Sequence, residues 1–262
     1  MLSREVRFRL PQSENVPTMP LAPEVKEELI ERLWRCGVFR FGSAVRLQYG
    51  INTPVFLDFR SALYDDVATL RFLGRCIAQV AAAAFGEEIK LVGVPETGTP
   101  LAVSASVVAG SGLAVLRKTT GEAPTRRHCL MGTKEGAAKF VLVDDVMASG
   151  VSKMRCIGQL SAEALPVAGI VVVVNRHQGG DQLLEKLGYP VKHLLDIREL
   201  MDVLVSQGKI DSDTRDAARN YLALRQYSVE EFVSLLEADP AARAAIDRGT
   251  LDPLRKAVSG RL

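Results

Sequence analysis

Two adjacent carboxylates and a turn of small residues form the stretch of this chain that is best suited to chemistry. Asp144 and Asp145 follow the apolar residues 140–143, a pattern typical of a strand buried on both faces of a parallel sheet. Residues 148–152 are small enough for backbone N–H groups to face an anion, and two serines add hydroxyl donors. Two carboxylates beside such a phosphate cradle suit a ribose diol with Mg²⁺ nearby. The plainer alternative is that the acid pair only ends a strand and caps a turn.

Two further segments carry residue types that suit anionic ligands. A strand at residues 91–94 leads through the turn 95–100 into a helix rich in Ala and Val, an order that anion sites share with ordinary βα turns. Arg117 and Lys118 open a polar, cationic segment that extends to residue 136 without hydrophobic periodicity. Loops of that length are often active-site lids.

The remaining hydrophobic pattern alternates between strands and helices, which predicts an α/β fold with a mostly parallel sheet flanked by helices. Helices are predicted at residues 24–36 and 65–85, after the turn at 148–152, and after Asp196, which would cap its helix. Strands are predicted at residues 55–59 (closing a hairpin that begins at 39), 113–116, 167–174 and 188–195. The predicted organisation is an N-terminal arm at 1–23, a main domain at 24–226 and a helical extension at 227–262.

Composition excludes several classes of protein. The 262 residues are 24% charged and 47% hydrophobic, with a net charge of +2, so nucleic acid is not an expected partner. The four cysteines are widely spaced, which favours neither zinc nor disulfides and fits a reducing, cytoplasmic setting. We expect no membrane association, because no apolar run reaches the ~18 residues of a membrane span.

The stretch from Lys139 to Ser152 resembles the phosphoribosyl pyrophosphate (PRPP) loop of type I phosphoribosyltransferases. In that family the loop holds the 5-phosphate and the acidic pair contacts the ribose hydroxyls. The resemblance implies PRPP-binding roles for Asp144, Asp145, Ala148, Ser149, Gly150, Val151 and Ser152. Ala148 departs from the usual Thr and lacks its hydroxyl donor.

Residues 93–102 resemble the pyrophosphate loop of the same family, which implies that Glu96, Thr97 and Gly98 also contact PRPP. Glu96 stands where Tyr is usual. A carboxylate beside a pyrophosphate is repulsive unless a metal or an arginine lies between them.

The orotate branch of the family is indicated by two other segments. Residues 39–60 resemble the N-terminal part of orotate phosphoribosyltransferases, and residues 175–180 resemble their D-R-x-Q-G-G stretch. This implies that Phe56 stacks on the base and that Arg176 faces the base carboxylate, for which its planar fork is suited. Gln48 replaces the Lys that contacts the substrate in the family. Residues 195–222 resemble the end of the transferase domain in UMP synthases.

The segment that begins at Arg117 resembles the family's catalytic loop, R-K-x-x-K-x-H-G. Arg117 and Lys118 match and, with Asp145, are the implied catalytic residues. Gly121 and Ala123 replace the Lys and His that close over the pyrophosphate. The loop cations available to take their place are Arg126, Arg127 and His128.

The resemblance implies transfer from PRPP to orotate, with Mg²⁺ held through PRPP rather than by protein side chains alone. It also implies a small N-terminal hood over the site and a homodimer whose 117–136 loop crosses to the neighbour. Two other hypotheses stay open: a phosphoribosyltransferase for another base, and an impaired homologue that binds PRPP or a nucleotide in a regulatory role. The acceptor base, the role of residues 227–262 and derivation from a fusion protein are open as well.

Overall fold

The computed structural model describes residues 21–46, 52–116, 130–132 and 139–239. The expected arm, except for its last residues, and the end of the C-terminal extension lie outside the described residues. The same holds for Gln48, Arg117, Lys118, Gly121, Ala123, Arg126, Arg127 and His128.

The described strands form a six-stranded sheet and a separate hairpin. The hairpin pairs β1 (Phe39–Arg46) with β2 (Asn52–Leu57) in antiparallel fashion. The sheet contains β3 (Ile89–Gly93), β4 (Gly112–Leu116), β5 (Leu130–Met131), β6 (Lys139–Met147), β7 (Val167–Asn175) and β8 (Val191–Asp196). Its order is β5-β4-β3-β6-β7-β8, and every neighbouring pair is parallel except β4 with β5.

Helices cover both faces of the sheet, which confirms the predicted fold class. They are α1 (Pro23–Arg35), α2 (Phe59–Ala62), α3 (Val67–Phe85), α4 (Gly98–Ala109), α5 (Val151–Ala162), α6 (Gly180–Lys186), α7 (Ile197–Ser206), α8 (Ser212–Leu224) and α9 (Val229–Ala238). Side-chain caps begin five of them, at Asp58, Asp66, Asp196, Asp211 and Ser228. Each cap accepts a backbone N–H that the helix itself leaves without an acceptor.

Three sequence expectations need correction. Strand β6 does not end before the acid pair but continues to Met147, because β7 pairs with it as far as Asn175. Strand β2 stops at Leu57 rather than at residue 59, because the Asp58 carboxylate caps α2. The helices α2, α6 and α8 and the edge strand β5 were not predicted.

Two hydrophobic cores lie on the two faces of the sheet. The first packs α1, α3, α4, α7 and α8 around Val141 and Val143. The second packs α5 and α9 around Leu142. Phe232 and Leu236 of α9 are buried in that second core, so part of the expected C-terminal extension contributes to it.

Among the described residues one helix, α3, is long and apolar enough to cross a membrane by length and composition alone. This differs from the expectation based on uninterrupted apolar runs. Leu73 and Ile77 of α3 are fully buried in the first core, and the helix contacts β7 and β8. Its packing against the sheet accounts for its apolar character.

Candidate active site

The candidate site lies where the direction of chain winding reverses across the sheet. From β3 the chain passes through α4 to β4 on one side, and from β6 it passes through α5 to β7 on the other. The carboxyl ends of β3 and β6 therefore border a crevice, the usual ligand position in open α/β sheets. The turns that follow these strands are the two predicted anion turns.

The phosphate turn joins β6 to the N-terminus of α5. Gly150 adopts φ +82°, a left-handed conformation that glycine tolerates best, and immediately precedes the helix. The turn brings Ala148, Ser149 and Val151 together at the start of a twelve-residue helix. Backbone N–H groups and the positive end of the helix dipole favour an anion at this position.

The second turn is held against the end of β6 by close backbone packing. Val94 N donates to Val143 O at 2.9 Å, and Gly98 begins α4. A Cβ on Gly98 would lie 2.2 Å from Val143 O and 3.2 Å from Asp144 Oδ1. Only glycine therefore allows this turn to approach the acid pair so closely.

Glu96 and Thr97 of this turn line an open pocket of about 420 Å³ with Arg60, Tyr64 and Pro100. Arg60 thus supplies a cation to the pocket that contains the Glu96 carboxylate. Burial raises the pKa of Tyr64, and the negative charge of Asp145 raises it further. This electrostatic coupling links the pocket to the acid pair.

Asp144 is held by a lysine that sequence reasoning missed. Its Oδ1 accepts from Asp145 N at 3.0 Å, and its Oδ2 lies 2.5 Å from Lys153 Nζ. Lys153 also donates to Val146 O at 2.5 Å. The sequence offers only one sign that Lys153 is buried, which is its position next to Met154 on a helix face that was predicted to be apolar. That position does not identify its partner.

Asp145 is less buried than Asp144. Its Oδ1 accepts from Val146 N at 2.8 Å. Burial, followed by the charge of Asp144, raises the pKa of Asp145 to about 7, although Lys153 lowers it. Near neutral pH this carboxyl group can therefore both accept hydrogen bonds from hydroxyls and exchange a proton.

The predicted base-binding residue Arg176 lies beside the phosphate turn. Its backbone N donates to Met147 O at 3.0 Å. Burial lowers the pKa of Arg176, while Tyr221, which accepts a hydrogen bond from its guanidinium, and Tyr227 act in the opposite direction. Within the described ranges, Arg176 Nε is buried without a hydrogen-bond partner.

Phe56, the predicted stacking residue, is half-buried on β2. That strand contacts α8, the helix that carries Tyr221. The hairpin and Arg176 thus share α8 as their support.

A histidine between two aspartates fixes the loop that carries Arg176. His177 Nδ1 lies 3.1 Å from Asp181 Oδ2, and His177 Nε2 lies 2.8 Å from Asp196 Oδ2. Hydrogen bonds to Asp181 and then Asp196 raise the pKa of His177 to about 9. Burial alone would raise the pKa of either aspartate, but the bonds that they accept outweigh it and lower both to about 2. The imidazolium therefore bridges α6 and the start of α7, which fits a structural role.

The stabilising effect of His177 should depend on pH. Because its pKa rises from 6.5 to about 9 on folding, its contribution is complete below pH 6.5 and is lost as the pH rises through 9. The two aspartates, lowered from 3.8 to about 2, contribute above pH 3.8 and lose their effect as the pH falls through 2. At pH 6, His177→Gln should lower the free energy of unfolding by about 2 kcal/mol after solvent screening, and by much less at pH 10.

Chemical denaturation of both proteins at the two pH values measures this difference. His193→Gln is the control, because burial lowers the pKa of His193 and its effect should not shrink on the alkaline side. A deficit of His177→Gln that is equal at pH 6 and pH 10 would contradict the ion-pair assignment.

Asn175 stands where the family motif has Asp, and its amide pairs with the carboxylate of Asp181. Its buried amide donates to Asp181 Oδ2 at 2.8 Å, and its Oδ1 accepts from His177 N at 2.9 Å. Asn175→Asp would place two carboxylate oxygens against each other, so we expect a loss of about 2 kcal/mol of stability at pH 7. Adding Asp181→Asn should remove this repulsion but also the carboxylate that faces His177 Nδ1, so stability should recover only in part. Denaturation curves of the single and double variants test this, and a single variant as stable as the wild type would refute it.

Comparison with known proteins identifies the family. No protein-family model matches the chain. Orotate phosphoribosyltransferase from Pyrococcus furiosus is 30% identical over 179 residues, which cover 68% of this chain and 96% of that protein. Uridine 5'-monophosphate synthase from Bos taurus is 26% identical over 204 residues, which cover 78% of this chain and 42% of the bovine protein.

A solved structure of UMP synthase from Leishmania donovani has the same fold, with a TM-score of 0.67 at 24% identity over 78% of this chain and 43% of that one. The chain thus spans about two fifths of the length of the UMP synthases that it matches, but almost the whole of the archaeal enzyme. The chain belongs to the orotate phosphoribosyltransferase family.

Proposed function

We propose that the chain transfers the phosphoribosyl group of PRPP to orotate and releases orotidine 5′-monophosphate and pyrophosphate. The observation that carries this proposal is the crevice at the ends of β3 and β6, where an ionisable carboxylate adjoins a glycine-capped phosphate turn. Family membership supplies the chemistry that such a crevice would perform. The proposal concerns the transferase reaction only.

PRPP would be bound by three adjoining features. The 5-phosphate would accept from backbone N–H groups of the phosphate turn and from the hydroxyls of Ser149 and Ser152. Asp145 would accept from the ribose hydroxyls. The pyrophosphate would lie toward Thr97 and Gly98, with Arg60 offsetting the charge of Glu96 in the same pocket.

Orotate would be bound from the opposite side of the crevice. Arg176 would face the orotate carboxylate, for which its planar guanidinium is suited, and its position beside the phosphate turn supports this role. Phe56 would stack on the base, and Gln48 would contact it by hydrogen bonding instead of charge.

Mg²⁺ is the cofactor that the family resemblance implies. Within the described segments no group of three or more His, Cys, Asp and Glu side chains forms a metal cluster. The ion would be held mainly by the phosphates of PRPP. When bound, Mg²⁺ would neutralise charge on the departing pyrophosphate.

Loss of pyrophosphate leaves positive charge on C1 of the ribose and negative charge on the leaving group. Arg117 and Lys118 would stabilise the leaving group. Arg126, Arg127 and His128 are the candidates to replace the cations that Gly121 and Ala123 lack, on a loop contributed by the partner subunit of a homodimer. The free thiols of Cys36, Cys76 and Cys156 support a cytoplasmic, reducing location.

The test is a spectrophotometric assay of the purified protein with orotate, PRPP and Mg²⁺. Loss of orotate absorbance that requires all three components supports the proposal. Absence of turnover, together with calorimetrically measured PRPP binding, would instead favour another acceptor base or a regulatory role. Absence of both would reject it.

A further inference from the structure

We propose that Lys153 is a positioning residue that holds Asp144 outside the ribose site, so that Asp145 is the only carboxylate of the pair that contacts the ribose diol. This inference rests on the proposed function and deepens it. It differs from the expectation drawn from the family, in which both acids share the ribose hydroxyls.

Lys153 is buried in the protein interior. It lies in the first turn of α5 and is 4% exposed. Its ammonium group reaches the Asp144 carboxylate and the Val146 carbonyl, both at 2.5 Å. Burying an ammonium group is tolerated only when such partners compensate for its lost hydration, so this side chain has little freedom to bind substrate.

Both carboxylate oxygens of Asp144 already have partners within the protein. Oδ2 is paired with Lys153, and Oδ1 accepts from Asp145 N. The residue is 5% exposed, and the position of a Cβ on Gly98 lies 3.2 Å from Oδ1, so the second turn closes that side. Burial and these existing contacts make Asp144 a poorer acceptor for a ribose hydroxyl than the half-buried Asp145.

Asp145 has the opposite properties. It is half-buried at the crevice, and Oδ1 alone accepts the Val146 N–H bond. The charged and titratable groups that face the pair are Lys153 and Cys156 from α5 and Tyr64 from the segment between α2 and α3. Lys153 is the one cation among these described groups; it contacts Asp144 directly, and it lowers the pKa of Asp145 through its charge.

A double-mutant experiment separates the two carboxylates. PRPP binding with Mg²⁺ is measured by calorimetry for Asp145→Asn and for Asp144→Asn combined with Lys153→Met, which replaces the ion pair with neutral groups of similar size. We expect Asp145→Asn to weaken binding by about 100-fold and the double variant to stay within about threefold of the wild type. A folded double variant that loses as much affinity as Asp145→Asn would overturn the proposal.

The pH dependence of PRPP binding by Lys153→Met distinguishes a positioning role of this lysine from a purely structural one. PRPP binding should weaken as the pH falls, and this acid limb should move toward higher pH by about one unit when the cation is removed. The reason is that Asp144 and Asp145 then hold their shared proton more tightly. Restoring the charge with Lys153→Arg should return the limb toward its original position. A variant that binds PRPP with an unshifted acid limb would count against the proposal, even if the double variant failed to fold.

Failure of the proposed function is recognised separately. If the wild type binds no PRPP, the transferase proposal fails. The thermal unfolding midpoints of Asp144→Asn, Lys153→Met and their double variant still form a double-mutant cycle. Strongly non-additive midpoints would support the holding of Asp144 by Lys153. Additive midpoints would reject it.

Discussion

Replacing Asp145 with Asn should reduce phosphoribosyl transfer by about 100- to 1000-fold while leaving the protein folded. The change keeps the shape of the side chain, and the amide oxygen can still accept from Val146 N, as Oδ1 does now at 2.8 Å. The lost property is the negative charge beside the ribose. That charge strengthens the hydrogen bonds from the hydroxyls, and it is needed most as positive charge develops on C1.

Steady-state kinetics with orotate and PRPP, together with circular dichroism, measure this effect. Asp211→Asn is the matched control, because Asp211 caps α8 through Thr214 N and Asn caps helices equally well. Wild-type activity should also rise with pH through about 7, where Asp145 ionises, and the residual activity of Asp145→Asn should lack that rise. Equal turnover by wild type and Asp145→Asn would remove Asp145 from the ribose site.

Local features of the site could be predicted from the sequence because short segments determine them. An apolar strand, two carboxylates, a Gly turn and a helix are consecutive in the chain, so the phosphate turn at Gly150 was recognisable. The cap of α7 is local for the same reason, since Asp196 accepts from the amide of Arg198, two residues later. The parallel sheet followed from the alternation of these segments.

Contacts between distant segments could not be predicted in this way. The partners of His177 come from α6 and from the end of β8, and the partner of Arg176, Tyr221, lies on α8, far along the chain. Lys153 is closer in sequence to Asp144, but the fold of the phosphate turn decides where its long side chain points. The cationic loop that the reaction needs lies outside the described residues, so its role stays a prediction.

Gly180→Ala should disrupt the site nearly as strongly as loss of Asp145, although residue 180 contacts no substrate in the proposed arrangement. Gly180 N donates to Ala148 O at 3.1 Å, which joins the loop of Arg176 directly to the phosphate turn. A Cβ at this position would lie 2.2 Å from Ala148 O and 2.5 Å from Ser149 C. Both are backbone atoms, so no rotamer change relieves the clash, and the two loops must separate.

A displacement of ~1 Å in a site that aligns two substrates costs about 100-fold in rate. We expect Gly180→Ala to lose that much in transfer and about 3 kcal/mol in the free energy of unfolding, as overpacking against rigid neighbours does. Kinetics and urea denaturation measure the two losses.

Gly188→Ala, just beyond the other end of α6, is the control that separates steric clash from backbone strain. Gly188 has φ +87°, and nothing lies within 4 Å of a Cβ placed there. The change should therefore cost about 1 kcal/mol of stability through its left-handed conformation and leave turnover unaffected. Because Gly180 shows no such conformation, a larger functional loss at 180 than at 188 can come only from the clash with the phosphate turn. Equal turnover in the two variants would mean that the loop of Arg176 and the phosphate turn move independently. Their contact would then not preorganise the site.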